Sequence, residues 1–244
     1  MAELEGRIAL VTGASRGIGK AVALALGQAG AAVAVNCRAR REDADAVAKT
    51  ICDRGGRAMA FRADVSLGPA VEPMVRDIED RLGPIDILVN NAGSATPRGL
   101  EITEQDFDAA IAANLKSAFL CTQSVLPGMR ARRWGRIVNL SSIGARIGAG
   151  SVSVAYAAAK AGIEGLTRGY ALRVAAEGVT VNAIAPGLVA TDMGQPLIEA
   201  GVPTRIPVGR PGTAEEIAQV VLLLVRNAYI TGQTISINGG SLFS

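Results

Sequence analysis

The sequence of 244 residues contains no histidine, and only four of its 25 basic residues are lysines. Without histidine, the chain cannot form a Ser-His-Asp hydrolase, a histidine-ligated metal site or a histidine general base. Acid-base chemistry near neutral pH must therefore use another side chain, whose pKa is shifted by its surroundings.

Cysteines and basic clusters are scarce as well. Cys37, Cys52 and Cys121 are far apart and form no CxxC pair, so the pattern predicts neither a metal site nor a disulfide framework. Three ordinary thiols in a reducing compartment are expected. The net charge of +3 is modest, and without a dense basic stripe it does not favour nucleic acid as a partner.

Long apolar runs are also missing. No run approaches the roughly 18 residues that a membrane span needs, and the N-terminal sequence MAELEGRIALVTG has no signal-peptide pattern. With 49% hydrophobic and 19% charged residues, the composition is typical of a globular protein. A cytoplasmic protein without a membrane partner is therefore expected.

Short apolar segments alternate with helix-like segments along the whole chain. Continuous apolar runs are typical of strands covered on both faces, and their alternation with helices predicts a parallel α/β sheet. We expect a single doubly wound, Rossmann-like domain over residues 1–244, with a seven-stranded parallel sheet flanked by helices on both faces. The predicted strands are Arg7–Thr12, Ala32–Asn36, Ala58–Asp64, Ile85–Asn90, Arg136–Leu140, Thr180–Ala185 and Gln233–Ile237, and the predicted helices include Gly19–Gly30, Glu42–Arg54, Val71–Leu82 and Gln105–Arg130.

A glycine-rich segment, Thr12–Gly19, follows the first predicted strand and opens the first helix. Its glycines allow a tight turn and a close approach of the backbone to a pyrophosphate, which the helix N-terminus attracts. A glycine-rich turn without a ligand is the alternative. At the first strand-to-helix turn of an α/β chain, however, the segment predicts a dinucleotide site.

The end of the second strand indicates which dinucleotide binds. A site specific for NAD places an acidic residue there to accept from the ribose hydroxyls, but no acid appears before Glu42. Arg38 instead offers a cation where a 2′-phosphate would project, and Arg16 offers a second. We therefore predict NADP(H); Arg40 and Arg41 are interpreted as a solvated loop.

Two further motifs carry polar chemistry. Tyr156 and Lys160 are spaced i,i+4, so a helix would place the phenol and the ammonium on one face, where the cation would lower the pKa of the phenol. A surface pair is the alternative. The segments Asn90–Gly93 and Ser141–Ser142 follow predicted strands, at the edge where open α/β sheets bind ligands; plain turns or a helix cap are the alternatives.

In this order, and over essentially the whole chain, these motifs resemble the short-chain dehydrogenase/reductase family. The resemblance implies that Ser142 and Tyr156 bind the substrate oxygen, that Lys160 binds the nicotinamide ribose, and that Asn114 holds a water molecule. The catalytic set is then Asn114, Ser142, Tyr156 and Lys160, without a metal. The implied cofactor contacts are Gly13, Ser15, Arg16, Gly17, Ile18, Gly19, Arg38, Asp64, Val65, Asn90, Ala92, Gly93, Tyr156, Lys160, Pro186, Gly187, Val189 and Thr191.

The resemblance also implies a reaction: NADP(H)-dependent hydride transfer between nicotinamide and a carbonyl or alcohol carbon. The pattern is most similar to members that reduce β-ketoacyl thioesters on acyl carrier protein or CoA. Arg130, Arg132 and Arg133 lie where such members bind their acidic carrier; a solvated helix end is the alternative. A small free ketone, sugar or polyol remains an alternative substrate, and a non-catalytic nucleotide-binding scaffold remains an alternative function.

Three departures from the family pattern matter. The segment from Ser142 to Tyr156 is one residue longer than usual, which makes Ser141 an alternative catalytic serine. The substrate lid expected at about residues 188–210 is short, and Glu177 replaces an arginine expected for carrier binding.

Small residues along the helix that begins near Tyr156 favour close helix pairing and, by resemblance, a homotetramer. These small residues are Ala157, Ala161 and Gly165.

Overall fold

A computed structural model describes residues 3–95, 100–148, 153–201 and 206–243. Its strands form one parallel sheet in the order β3-β2-β1-β4-β5-β6-β7, so the predicted seven-stranded α/β fold is confirmed. The strands are β1 Ile8–Val11, β2 Ala32–Cys37, β3 Ala58–Arg62, β4 Ile87–Asn90, β5 Gly135–Leu140, β6 Val179–Pro186 and β7 Thr234–Ile237.

Burial on both faces explains why the strands read as continuous apolar runs. All residues of β1, β2, β4, β5 and β6 are buried. In β1, Ala9 and Val11 belong to one hydrophobic cluster, whereas Ile8 and Leu10 belong to the cluster on the other face. Successive side chains of a strand point to opposite faces, so each central strand contributes to both cores.

Helices cover both faces. One cluster includes side chains of α1, α2 and α9, and the other includes side chains of α3, α5 and α7. The helices are α1 Gly17–Gln28, α2 Arg41–Asp53, α3 Gly68–Leu82, α4 Glu104–Ile111, α5 Ser117–Ala131, α6 Gly144–Ile147, α7 Val154–Val174, α8 Gln195–Glu199 and α9 Ala214–Arg226.

Side-chain hydrogen bonds cap the starts of α4 and α9. Thr103 and Thr213 each accept a hydrogen bond from the backbone of the third helical residue, and the carboxylates of Asp106 and Glu216 complete two capping boxes. The predicted helix over residues 105–130 is different in detail. It is divided into α4 and α5 by a five-residue π-helical segment, Ala112–Lys116.

The order of the strands creates the place where a ligand can bind. From β1 the chain continues to β2 and β3 on one side, and then returns to β4 on the other side of β1. Ligands of open α/β sheets bind in the crevice at such a reversal, beyond the carboxyl ends of the strands. The site is therefore expected beyond β1 and β4. Among the described residues, no helix is long and apolar enough to cross a membrane.

Candidate active site

Two adjoining depressions lie at the carboxyl edge of the sheet. The first, called the trough here, has a volume of about 300 Å³ and extends along the glycine-rich turn to the end of β2. The second, called the inner cavity, has a volume of about 460 Å³ and lies beside β5 and α7. Residues of both walls include Ile18, Asn91, Gly93 and Thr191. A ligand in the trough would therefore extend into the inner cavity.

The glycine-rich turn forms the floor of the trough because side chains are excluded there. Gly13 and Gly17 have φ angles of +63° and +54°, which favour glycine. A Cβ on Gly13 would lie 3.0 Å from the Cα of Ala92. A Cβ on Gly19 would lie 2.4 Å from the Nδ2 of Asn91. Gly19 thus permits close packing behind the turn and does not line the trough.

The far end of the trough fits the adenosine half of a dinucleotide. Arg38, Asp64 and Val65 line it. The backbone and hydroxyl of Ser66 donate to Oδ1 of Asp64 at 3.0 and 2.6 Å, and Oδ1 of Asn36 accepts from the amide of Gly13 at 3.2 Å. The Nδ2 of Asn36 donates to the carbonyl oxygen of Ala63 at 3.1 Å, so Asn36 joins the segments after β1 and β3 and the end of the trough is preformed.

Positive charge surrounds the same end. Arg16, Arg38 and Arg40 line the trough, and among the described residues no carboxylate forms an ion pair with Arg38. Arg16 forms an ion pair of 2.6 Å with Asp192, which lowers the pKa of that carboxyl through its hydrogen bond and its charge. Arg40 was interpreted from the sequence as part of a solvated loop. In the structure it belongs to the wall.

In the inner cavity, Tyr156 and Ser142 line the same space. Burial raises the pKa of Tyr156, and Ser142 opposes this rise. Lys160 was expected to lower the pKa of the phenol, but it has no part in this shift. At neutral pH the phenol is therefore protonated and able to donate a proton.

Lys160 lies deeper, 5% exposed. Its Nζ donates to the carbonyl oxygen of Leu140 at 2.7 Å and lies 5.6 Å from the centre of the Tyr156 ring. Burial lowers the pKa of Lys160 to about 8, because the apolar surroundings disfavour its charged form. The ammonium is held at the carboxyl end of β5, between Tyr156 and the shared wall of the two depressions.

Asn114 lies in the π-helical segment and is 1% exposed. Its Nδ2 donates to the carbonyl oxygens of Ser94 and Ala110 at 2.9 and 3.0 Å, and its Oδ1 accepts from the amide of Ser94 at 3.3 Å. A Cβ on Gly93 would lie 2.6 Å from this Oδ1 and 3.6 Å from Nζ of Lys160. Asn114 thus fixes the loop after β4, and Gly93 in this loop lies close to both Asn114 and Lys160.

The structure distinguishes the two serines. Both line the inner cavity, but the Ser141 hydroxyl donates to the Lys160 carbonyl oxygen at 3.1 Å, with Glu164 Oε1 a further acceptor at 3.3 Å. The Ser142 oxygen accepts from the amide of Gly144 at 3.0 Å and lowers the pKa of Tyr156. Ser142 is therefore the better candidate for contact with a ligand in the cavity.

Asn90 does not reach the predicted site. It is 5% exposed and donates to Oδ1 of Asn139 at 2.8 Å and to Oγ1 of Thr122 at 3.2 Å, inside the fold. The next residue, Asn91, lines both depressions and donates to the carbonyl oxygens of Thr12 and Gly13. The Asn-Asn pair in the sequence did not reveal which side chain faces outward.

Apart from Asn90 and Gly19, the predicted site residues are brought together. The trough contains Gly13, Ser15, Arg16, Gly17, Ile18, Arg38, Asp64, Val65, Ala92, Gly93 and Thr191, and the inner cavity contains Asn114, Ser142, Tyr156, Lys160, Pro186, Gly187 and Val189. Asn91, Arg40 and Asp192 also line the trough but were not predicted from the sequence. An acidic residue within the predicted lid was the available signal for a partner of Arg16.

The chain was compared with known proteins. A family model described as enoyl-(acyl carrier protein) reductase matches residues 13–241. The chain is 42% identical over 244 residues to a 3-oxoacyl-[acyl-carrier-protein] reductase of Synechocystis sp., with 98% of both chains covered. It is 43% identical over 249 residues to 3-oxoacyl-[acyl-carrier-protein] reductase FabG of Pseudomonas aeruginosa, with 99% of both covered.

Proposed function

The chain belongs to the short-chain dehydrogenase/reductase family of oxidoreductases, and we propose that it is an NADP(H)-dependent reductase of β-ketoacyl thioesters. The observation that carries this proposal is the pairing of Tyr156 with Ser142 in a cavity that adjoins the glycine-lined trough. Two hydroxyls directed at one space suit the oxygen of a ketone. The names of the full-length relatives supply the β-ketoacyl class.

The catalytic roles follow from this geometry. When bound, NADPH supplies the hydride. Ser142 and Tyr156 hold the carbonyl oxygen of the substrate, and the phenol gives that oxygen its proton as the ketone becomes an alcohol. Lys160, buried beside the shared wall, holds the nicotinamide ribose and stabilises the phenolate that proton transfer leaves.

The trough fits NADP(H). The positive φ angles of Gly13 and Gly17 and the helix N-terminus of α1 form a cradle for a pyrophosphate. Arg38 is proposed to bind the 2′-phosphate, since it directly follows β2 and no acidic side chain comes before Glu42. Arg40 is a second candidate for this contact. Arg16 is a third candidate, provided that the phosphate displaces Asp192 as its partner.

The carrier protein as partner, the oligomeric state and the cellular location of the chain are also proposals. Arg130, Arg132 and Arg133 precede β5, at the amino edge of the sheet, whereas the inner cavity lies at the carboxyl edge. A strand of six residues spans roughly 20 Å. An acyl carrier protein docked on these arginines would therefore serve the cavity of a neighbouring subunit, which is in keeping with the proposed homotetramer. The thiols of all three cysteines are free, in keeping with a cytoplasmic location.

The contacts of the three arginines refine the docking proposal. Arg130 forms a two-point ion pair with Glu177, and Arg132 lies 3.6 Å from the buried Asp86. Arg133 donates to the backbone oxygen of Ala176 at 2.9 Å. Carboxylates thus offset two of the charges, and Arg133 is proposed as the main attraction for an acidic carrier.

The substrate class can be tested by following NADPH oxidation with acetoacetyl-acyl carrier protein, acetoacetyl-CoA, a short acetoacetyl thioester and a panel of free ketones. We expect turnover of the thioesters, with the lowest KM for the carrier-bound form. Arg133→Glu should raise KM for that form alone, because rim charges steer a protein partner more than a small molecule. Preference for free ketones would contradict the β-ketoacyl proposal, and equal effects of Arg133→Glu on all thioesters would contradict docking.

The chain is proposed to act as one domain over residues 1–244 in which residues 188–210 form a lid over the substrate. Leu188, Met193 and Leu197 line the inner cavity, so this segment already contributes an apolar wall. Residues 202–205 of the predicted lid lie outside the described residues. A short apolar wall suits a short acyl chain.

A further inference from the structure

A buried carboxylate lies beside the catalytic residues without a part in the reaction described above. Glu164 is 7% exposed and follows Lys160 by one turn of α7. Glutamate is rarely buried unless it is paired. The contacts of Glu164 therefore indicate what the side chain does.

Both oxygens of Glu164 contact the segment that follows β5. Oε1 lies 3.3 Å from the hydroxyl of Ser141, and Oε2 lies 3.5 Å from Nε of Arg146. Arg146 in turn donates to the hydroxyl of Ser236 on β7 at 3.3 Å, while Ser141 also donates to the backbone of Lys160. The carboxylate thus joins α7, α6 and the end of β5.

The segment held in this way forms a wall of the inner cavity. Ile143, Gly144 and Ile147 line the cavity, and the amide of Gly144 donates to the hydroxyl of Ser142 at 3.0 Å. Its helix α6 has only four residues, too few to be stable without tertiary contacts. Contacts to neighbouring elements, with α7 among them, must therefore fix the position of this turn, and with it the hydroxyl of Ser142.

We propose that Glu164 is a positioning residue, which holds α6 against α7 through Arg146 and Ser141 and so fixes Ser142 relative to Tyr156. The inference rests on the proposed function, because it concerns the same carbonyl site. A displacement of about 1 Å at a catalytic group can cost about 10²-fold in rate. Loss of the anchor is therefore expected to lower kcat/KM for the carbonyl substrate by about tenfold or more.

The test compares Glu164→Gln, Arg146→Met and the double variant with the wild-type chain. The double variant removes both charges, so it leaves no uncompensated buried charge and carries the test if a single variant fails to fold. Arg146→Lys keeps a cation and should recover part of the activity lost in Arg146→Met. Asp53→Asn is the control, since it breaks an ion pair of 2.7 Å with Lys49 on the remote helix α2.

Steady-state kinetics with acetoacetyl-CoA and the Kd for NADPH are measured for each folded variant. If the pair acts as a unit, the double variant loses no more than the larger single loss, the Kd for NADPH stays within about twofold, and Asp53→Asn matches the wild type. The inference is overturned if folded Glu164→Gln retains wild-type kcat/KM, if its NADPH affinity falls in parallel, or if the single losses multiply.

A second readout does not depend on turnover. Amide hydrogen exchange of Ala145, Arg146 and Ile147, whose amides bond within the α6 turn, should be faster in Glu164→Gln than in the wild type. If the wild type reduces no β-ketoacyl thioester, the proposed function fails, and exchange alone then decides the positioning role. Unchanged exchange would overturn it.

Discussion

Tyr156 is proposed to deliver the proton to the substrate, so its phenol is the first group to remove. Burial keeps this phenol protonated at neutral pH by raising its pKa. Tyr156→Phe should lower kcat by about 10²-fold or more, as expected for loss of a general acid, while the Kd for NADPH stays nearly unchanged. Stopped-flow turnover and fluorescence titration measure the two effects.

The same helix offers a matched control. Tyr170 on α7 accepts a hydrogen bond from Gln123 at 2.9 Å and lies outside both depressions. Tyr170→Phe should therefore retain kcat. A Tyr156→Phe variant that keeps more than about a tenth of the wild-type kcat would show that the phenol does not deliver the proton.

Cofactor preference is also decided by single side chains. Arg38→Ala should raise KM for NADPH at least several-fold and leave KM for NADH little changed, because a charge-assisted hydrogen bond to phosphate is worth about 1.5–3 kcal/mol. Arg41→Ala is the control, since Arg41 pairs with Asp45 at 2.8 Å and does not line the trough. A wild-type kcat/KM that is equal for both cofactors would contradict the role of Arg38.

The sequence predicts the place of a side chain best where residue type and spacing indicate the same site. The i,i+4 spacing of Tyr156 and Lys160 places both in the inner cavity. The spacing could not show that burial, rather than the lysine, dominates the pKa of the phenol, since burial depends on residues far along the chain. Asn90 and Asn91 have the same side chain and differ only in direction, which tertiary packing determines.

Among the helices, the π-helical segment around Asn114 deserves a direct test because it supports both the fold and the site. Asn114→Ala would leave the backbone groups of Ser94 without the partners that they have in the structure. The free energy of unfolding should fall by about 1–3 kcal/mol, and kcat should fall with it. Urea denaturation and steady-state kinetics measure the two losses.

A surface asparagine provides the comparison. Asn227, after α9, accepts a hydrogen bond from the amide of Tyr229 at 2.9 Å in an exposed turn. Asn227→Ala should have a smaller effect on stability and none on kcat. If Asn114→Ala behaves like Asn227→Ala, the π-helical segment does not support the site.

The spacing of apolar residues predicted which segments form helices and which form strands, but it did not predict where a helix is interrupted. The apolar spacing of residues 105–130 is continuous enough to indicate one helix. A π-type turn contains one extra residue, which shifts the spacing of the apolar side chains. No turn-forming residue in the sequence marks this shift. The capping boxes at Thr103 and Thr213, by contrast, depend only on neighbours in the sequence.

For the whole molecule, apolar surface at the helices favours assembly. Large exposed side chains on α4, α5, α7, α9 and the segment before β7 include Phe107, Phe119, Leu172, Leu223 and Tyr229. We expect light scattering to give about 100 kDa for a closed dimer of dimers, from a chain of 25.0 kDa. A mass of one chain throughout the micromolar range would contradict the tetramer.

The architecture as a whole was predictable only in part. Alternation of strands and helices is a local signal, and it predicts a parallel sheet. The order of the strands depends on which distant segments pack together. The contact of β1 with β4 joins residues separated by two strands and three helices, and no local pattern encodes it.

The proposed reaction converts a ketone into an alcohol on a thioester. It can be followed by turnover of acetoacetyl-CoA with NADPH deuterated at the transferable position, and by mass spectrometry and NMR of the product. We expect a 3-hydroxybutyryl thioester with one deuterium on C3 and no turnover of crotonyl-CoA. A saturated butyryl product from crotonyl-CoA, or an acetoacetyl thioester recovered without label or reduction, would contradict it.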